Sequence, residues 1–170
     1  ELCWYVSSLT KSVSSALRFG YIVPPQGQAR LVRQVAQSSF YGIPQPIIDL
    51  SEALLRSGDA DKIRTRVRSL INERVQEAVN CLGSWDISYN EDVSFFWLRL
   101  PQGWRGSSFV IACERAGMLL KAADEFALPD EGAPHAVRIG ISADIDSAAY
   151  SAALRKVSEI LEHPPSNADV

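Results

Sequence analysis

The sequence predicts an α/β protein in which a small α+β domain follows a piece of a buried sheet. Two apolar runs, Leu2–Val6 and Phe19–Val23, lack polar alternation and are typical of strands buried on both faces. An apolar stripe at helical spacing from Ile63 to Leu82 predicts a long amphipathic helix. Alternating apolar residues over Ala136–Ser142 predict a strand with one face in a core. Together these patterns indicate the α/β class.

The first half of the chain is predicted to turn from strands to helices. A hydroxyl-rich loop, Ser7–Ser15, separates the two apolar strands. Helices are predicted over Gln28–Ser38 and Ile47–Ser57, and Gly58 is placed to end the second in a left-handed cap. The long helix over Ile63–Leu82 carries arginines and glutamates on its polar face, which indicates a solvated surface.

The second half is predicted to contain short strands and two further helices. The strands are predicted at Trp85–Tyr89, Ser94–Leu100, Met118–Ala122 and Ala136–Ser142, with a turn at Pro101–Gly103. One helix, capped by Ser107 or Ser108, is predicted to end at Gly117. The last helix is predicted to begin near Asp144 or Asp146 and to end after Leu161.

The composition is that of one globular domain or of a piece of a larger one. The chain has 170 residues, of which 46% are hydrophobic, and a net charge of −3. These residues are therefore not expected to bind nucleic acid, because neutralising phosphates needs clustered Lys and Arg. No apolar run reaches the length of about 18 residues that a membrane span needs. Scattered cysteines (Cys3, Cys81, Cys113) and two distant histidines predict no metal site and a cytoplasmic protein.

The beginning of the chain is typical of the interior of a fold. Glu1 is followed at once by an apolar run, without the basic and apolar segments of a signal peptide. We therefore expect a fragment of a longer protein. Its parts are a sheet remnant at 1–25, connecting helices at 26–82, a small domain at 83–165 and a disordered tail at 166–170.

Two basic side chains are candidates for chemistry. Lys11 lies in the hydroxyl-rich loop after a predicted strand, where α/β sheets place ligands, and Ser8 and Arg18 add a hydroxyl and a guanidinium that suit a phosphate. A solvated lysine is the simpler alternative. Arg138 lies in mid-strand beside small residues, with room for its guanidinium to meet a planar carboxylate. The alternative is a structural arginine paired with Asp124, Glu125 or Asp144.

Four segments, in order, resemble fold-type I aminotransferases. Ser8–Val23 resembles the lysine segment that binds pyridoxal phosphate, with Ser-x-x-Lys followed seven residues later by Arg-x-Gly-Tyr. Arg64–Leu82 is similar to the interdomain helix of the family, Phe95–Arg105 to a small-domain strand and turn, and Ala136–Ile139 to the strand with the carboxylate-binding arginine. Within the family, the chain resembles MocR-type regulators, in which an aminotransferase-like domain follows a GntR-type winged-helix domain.

The resemblance implies a fold, a cofactor and residue roles. The fold would be the C-terminal portion of the fold-type I aminotransferase, with a remnant of the large-domain sheet and a small domain of antiparallel or mixed strands and helices. Lys11 would carry pyridoxal 5'-phosphate and move the proton in transamination, and Ser8 and Arg18 would hold the cofactor phosphate. Arg138 would bind the substrate α-carboxylate. The ligand would be an amino acid or amine, and no metal is implied.

Two segments depart from the family pattern. Asn90–Ser94 stands where the family often has a Gly-Gly pair, and Ala123–Phe126 lacks the Pro-Gly that commonly precedes the aromatic residue. Both departures concern the substrate entrance more than the cofactor.

Three functions stay open at this point. They are an effector domain of a MocR-type regulator that binds DNA only through a missing N-terminal domain, a metabolic aminotransferase, and a binding module without catalysis. The resemblance implies a homodimer in the intact protein, and the lack of a long apolar run predicts no membrane partner. As a fragment, the chain is expected to bind the cofactor weakly and to be inactive alone, because the resemblance places other cofactor-binding groups before Lys11.

Overall fold

The structure is a computed structural model that describes residues 3–39, 42–128, 130–142 and 145–165. It divides into two compact units, Glu1–Arg68 and Ser69–Val170. Strands and helices both occur, so the mixed α/β class is confirmed. The finer division at residues 25, 82 and 165 stays a prediction, and the predicted tail at 166–170 lies outside the described residues.

The first unit begins with an antiparallel hairpin of β1 (Tyr5–Ser8) and β2 (Gly20–Val23). The hydroxyl-rich segment between the strands is predicted as a loop, but it contains a one-turn helix, α1 (Leu9–Ser12), and a 3₁₀ turn at Ser15–Leu17. Serine side chains cap both turns, since the Ser8 and Ser14 hydroxyls accept backbone N–H groups two residues ahead. Local capping therefore gives this polar segment a fixed conformation.

The prediction that both strands are buried on two faces is wrong for this structure. Val6 is 69% exposed, and Ile22 and Val23 are about half exposed. The strands pair only with each other, so no third strand lies beside them among the described residues. An apolar run buries its side chains only where another layer covers it. Leu2, the first residue of the predicted strand, lies outside the described residues.

Three helices follow, close to their predicted positions. They are α2 (Ala29–Ser39), α3 (Gln45–Ser57) and α4 (Asp59–Leu82). Gly58 separates α3 from α4 with a φ of 78°, a left-handed conformation that favours glycine. The predicted glycine cap is confirmed.

The second unit is built on a four-stranded antiparallel sheet with the order β3-β4-β6-β5. Its strands are β3 (Ile87–Tyr89), β4 (Phe95–Arg99), β5 (Lys121–Ala122) and β6 (Ala136–Gly140). Two helices complete the unit, α5 (Gly106–Arg115) and α6 (Ser147–Leu161). A 3₁₀ turn over Ala123–Phe126 follows β5 directly.

The sheet has one core face and one face that we call the open face. On the core face, Phe96, Leu98, Val137 and Ile139 are buried in a cluster with residues of α5, α6 and the end of α4. Directly paired residues point to the same face of a sheet. The register therefore places one row across the open face: Ser88, Trp97, Arg138 and Lys121. The predicted alternation along β6 is confirmed.

The N-terminal caps of the last two helices, α5 and α6, can be compared with their predictions. The cap of α5 is Arg105 and not Ser107 or Ser108, and no side chain caps its N–H groups. Asp146 caps α6 by accepting the N–H groups of Ala148 and Ala149, while Asp144 lies outside the described residues. Within the described part of the chain, no helix is long and apolar enough to cross a membrane.

Candidate functional site

Lys11 lies on α1, the single turn that starts where β1 ends. The Ser8 hydroxyl accepts the N–H of Thr10 at 3.0 Å and donates to the Phe19 carbonyl at 2.9 Å. The N–H of Leu9 donates to the same carbonyl at 3.0 Å, and the Leu9 side chain is buried. These bonds fix the turn against the start of β2 and leave Lys11 exposed on its outer side.

Lys11 differs from the other three lysines of the chain in having no carboxylate partner among the residues that the structure describes. The others form ion pairs at N···O distances of 2.6–2.8 Å, Lys62 with Asp59, Lys121 with Glu125 and Lys156 with Glu159. Across the described ranges, no ion pair or side-chain hydrogen bond is made by the Lys11 amine. Its nitrogen is therefore the lysine nitrogen most open to a reactive aldehyde.

Arg18 stands in an unusual backbone conformation beside the same turn. Its φ of 46° and ψ of 37° are left-handed, and among the described non-glycine residues it alone has a positive φ. The next residue, Phe19, supplies the carbonyl that Ser8 and Leu9 bind. The structure thus brings Ser8, Lys11 and Arg18 together in one short segment, with the guanidinium exposed.

Ser8 already uses its proton within the protein. A serine hydroxyl has one proton to donate, and the Ser8 proton is directed to Phe19. Contact with a phosphate would require Ser8 to exchange that bond. Arg18, without a partner in the described part of the chain, is the group of this segment with free donors for an anion.

Arg138 lies on the open face of the second unit, above aromatic rings. Its guanidinium carbon is 3.9 Å from the centre of the Phe95 ring and 4.9 Å from that of Phe126. Gly140 pairs directly with Phe95, and no atom lies within 4 Å of the position that a β-carbon would take there. The small residue leaves Arg138 room to lie across the Phe95 ring, whereas the sequence interpretation expected a planar carboxylate there, which stays a prediction.

No ion pair holds Arg138 in the described residues. Glu125 pairs with Lys121, Asp124 forms no ion pair with Arg138, and Asp144 lies outside the described residues. A half-buried guanidinium between two rings keeps its N–H edges available, because the rings cover its faces. The arrangement suits a carboxylate that approaches from the edge.

The aromatic residues around Arg138 are the part of the site that sequence reasoning missed. Trp97 packs edge-on against Phe126 at 5.5 Å and against Phe95 at 6.3 Å between ring centres. Phe95 and Trp97 belong to one face of β4 by simple alternation, which was the available signal. Phe126 reaches the group through the 3₁₀ turn after β5. The family pattern related Ala123–Phe126 to the substrate entrance but did not predict the contact of Phe126 with Arg138.

A groove of about 260 Å³ lies beside these rings. Its lining is Ser88, Tyr89, Asn90, Val93, Phe95 and Trp97. Among the described residues, no cluster of histidine, cysteine and acidic side chains could hold a metal ion. Burial raises the pKa of the Cys113 thiol to about 11, so this cysteine is protonated and not a nucleophile at neutral pH.

Several solved structures share the fold of this chain. The α-aminoadipate aminotransferase of Thermus thermophilus, solved in complex with N-(5'-phosphopyridoxyl)-L-leucine, is 19% identical with a TM-score of 0.79 over 94% of this chain and 41% of that chain. The kynurenine aminotransferase of Pyrococcus horikoshii, solved with PMP, is 15% identical with a TM-score of 0.79 over 94% of this chain and 40% of that chain. An archaeal alanine:glyoxylate aminotransferase is 20% identical, with a TM-score of 0.70 over 91% of this chain and 38% of that chain.

The chain spans about two fifths of the length of these aminotransferases. No protein-family model matches the chain, and no curated protein sequence matches it. At these identities the likeness lies in the three-dimensional fold. The chain therefore has the mixed α/β fold of part of a fold-type I aminotransferase.

Proposed function

We propose that the chain is part of a pyridoxal-phosphate-dependent aminotransferase-like protein in which Lys11 carries the cofactor. The observation that carries the proposal is the unpaired amine of Lys11 on a fixed turn at the end of β1, within an aminotransferase fold. Pyridoxal phosphate, when bound, supplies an aldehyde that reacts with amines and a ring that draws electrons from the substrate. Lys11 would bind that aldehyde and accept and return a proton at its Nζ atom.

The surroundings of Lys11 fit an anionic cofactor. Arg18 offers free guanidinium donors in the same segment, and the unit Glu1–Arg68 carries nine Lys and Arg residues against five Asp and Glu residues. A positive unit favours a phosphate ester. Ser8 would shape the turn, and it would reach the phosphate only after releasing Phe19.

Arg138 would bind the α-carboxylate of an amino-acid ligand. Its guanidinium lies over the Phe95 and Phe126 rings, and no described carboxylate competes for it. A guanidinium edge binds a carboxylate through two parallel hydrogen bonds, which fixes the orientation as well as the position of the ligand. This role would give the half-buried guanidinium a partner, which no acid of the described residues supplies.

At the level of the whole protein, we propose the effector domain of a cytoplasmic, homodimeric MocR-type regulator. The resemblance of the chain to that subgroup of the family supports it, and DNA would be bound by a winged-helix domain outside these 170 residues. A metabolic aminotransferase is the second candidate, supported by the aminotransferases that share the fold. The sequence encoded upstream separates the two candidates. A winged-helix segment there would favour the regulator, and an upstream sequence without one would favour the metabolic enzyme.

Trapping the cofactor on a lysine tests the proposed function. The intact protein that contains these 170 residues is incubated with pyridoxal phosphate, reduced with borohydride and mapped by mass spectrometry, because the fragment alone is expected to bind the cofactor weakly. We expect the pyridoxyl adduct on Lys11 in preference to the three ion-paired lysines, because an amine held by a carboxylate is less available for attack. Lys11→Arg should remove the preferred adduct, whereas the matched variant Lys62→Arg should keep it. Equal labelling of all four lysines, or none, would overturn the role of Lys11.

A further inference from the structure

The groove beside Arg138 has the lining of a binding site for an aromatic group. It holds about 260 Å³ between β3 and β4, with Tyr89, Phe95 and Trp97 among its walls. Aromatic and apolar walls favour apolar ligands, whose burial removes hydrocarbon surface from water. The rest of the lining, Ser88, Asn90 and Val93, comes from β3 and the turn that follows it.

One ring belongs to both the groove and the Arg138 site. Phe95 lines the groove, and the guanidinium of Arg138 lies 3.9 Å above its ring centre. In the sheet order β4 is the direct neighbour of β6 and β3 is one strand further, so the groove extends from about 5 to about 10 Å away from the strand of Arg138. A ligand of that length can place a negative group at Arg138 and its other end in the groove.

The wall of the groove is formed where the chain departs from the family pattern. Asn90–Ser94 stands in the place of a Gly-Gly pair, and it contributes Asn90 and Val93 to the lining. The turn is ordered by its own bonds, since the N–H of Val93 donates to the Asn90 carbonyl at 3.1 Å and the N–H of Asp92 to the Asn90 side chain at 2.9 Å. The side chains of Asn90 and Val93 therefore form one wall of the groove, at a position where the family pattern has glycines.

We propose that the groove binds the aromatic part of a carboxylate ligand whose carboxylate pairs with Arg138. The ligand class is an amino or oxo acid with an aromatic side chain. This assignment rests on the carboxylate role of Arg138 in the proposed function. Val93 and Ser88 are then specificity-determining residues, because both line the groove and neither would contribute to carboxylate binding.

Unreactive acids test the groove without any cofactor. The ¹⁵N-labelled chain is titrated with 3-phenylpropionate and with propionate, and the indole N–H signal of Trp97 reports binding. The indoles of Trp85 and Trp104 donate to Ser158 and to the Leu161 carbonyl inside the protein and serve as internal references. We expect 3-phenylpropionate to bind at least about tenfold more tightly than propionate, the factor that burial of one aromatic group gives.

Filling the groove should remove this preference selectively. In Val93→Phe the affinity for 3-phenylpropionate should fall to that for propionate, whose own affinity should not change. Ser88→Phe fills the groove from an exposed strand position and should have the same effect. It replaces Val93→Phe as the test if that variant does not fold. The matched control is Leu119→Phe, at a residue that is 85% exposed and does not line the groove.

The outcomes separate this proposal from the proposed function. Arg138→Gln should weaken both acids, because both carboxylates would use the guanidinium. The groove assignment is wrong, and the carboxylate role of Arg138 stands, if Arg138→Gln lowers the affinity for both acids in either of two cases. In the first case wild type binds the two acids equally tightly. In the second case the variants with a filled groove keep the preference for 3-phenylpropionate. The carboxylate role of Arg138 is wrong if Arg138→Gln changes the affinity for neither acid, or if neither acid shifts the indole N–H signal of Trp97 in wild type. The groove assignment is then wrong as well, because it rests on that role.

Discussion

Arg138 shows how a cation can be half-buried without an ion pair to any acid of the described residues. The faces of the guanidinium rest on Phe95 and Phe126, which offset part of the cost of removing it from water. Trp97 in turn packs edge-on against both rings and holds them in place. If Arg138 binds a carboxylate as proposed, the donor is already oriented, and less conformational entropy would be lost on binding.

Arg18 combines a strained backbone with an exposed charge, and the two properties can be separated by substitution. Its φ of 46° costs a non-glycine residue roughly 1–2 kcal/mol. Arg18→Gly should relieve this strain and leave the free energy of unfolding equal or higher, whereas Arg18→Ala should keep the strain and the stability of wild type. Urea denaturation measures both variants.

The same two substitutions test the charge of Arg18. Both remove the guanidinium, so both should weaken the binding of pyridoxal phosphate by about tenfold, in line with the loss of one charge-assisted contact to a phosphate. Arg18→Lys retains a cation and should lose less. Unchanged cofactor affinity in both neutral variants would contradict a phosphate contact by Arg18, whatever their stability.

Between helices, a polar network joins α4 to the start of α6. Glu77 on α4 accepts hydrogen bonds from Ser147 and Ser151 on α6 and pairs with Arg74 at 2.8 Å. The second guanidinium nitrogen of Arg74 donates to the Ile145 carbonyl at 2.7 Å. The bond from Ser151, with that from Ser147 and the Arg74 charge, lowers the pKa of Glu77 although burial acts in the opposite direction.

This network predicts a loss of stability in acid. Because the folded state lowers the pKa of Glu77, its contribution is complete above the unfolded pKa of about 4.3 and is lost as the pH falls through the lower folded pKa. Glu77→Gln should reduce the free energy of unfolding at pH 7 and make it change less between pH 5 and pH 3. Urea denaturation at pH 7, 5, 4 and 3 measures both effects.

The control for the acid prediction is Glu159→Gln. Glu159 pairs with Lys156 on the exposed side of α6, and surface pairs of this kind contribute little. The pH dependence of this variant should stay close to that of wild type. If Glu159→Gln flattened the pH profile as much as Glu77→Gln, the buried network would not be its source.

At the level of elements, the sequence predicted what local chemistry decides. Gly58 ends α3 and Asp146 caps α6 because each acts on the backbone next to it. Burial of β1 and β2 was mispredicted because it depends on which layer covers the strands, and that information is not local. The contact of Phe126 with Arg138 was missed for the same reason, since it depends on the pairing of β5 with β6.

At the level of the whole molecule, the two units differ in how much core they contain. In Ser69–Val170, seventeen buried residues form one cluster around the core face of the sheet. Among the described residues of Glu1–Arg68, the buried apolar residues are Leu9, Leu17, Pro25 and the small Ala60. Since buried apolar surface is the main favourable term in folding, the units should differ in local stability.

Hydrogen exchange on the whole chain measures that difference. We expect the amides of β4 and β6 to exchange only on global opening of their unit, and those of β1 and β2 to exchange at least about a hundredfold faster, because a two-stranded hairpin opens without exposing a core. Leu98→Ala, which costs about 2–5 kcal/mol in a packed core, should accelerate exchange in the four-stranded sheet. The matched variant Leu17→Ala should accelerate it in the hairpin. Equal protection of hairpin and sheet in wild type would mean that a shared core, and not two cores of unequal size, sets the stability of the chain.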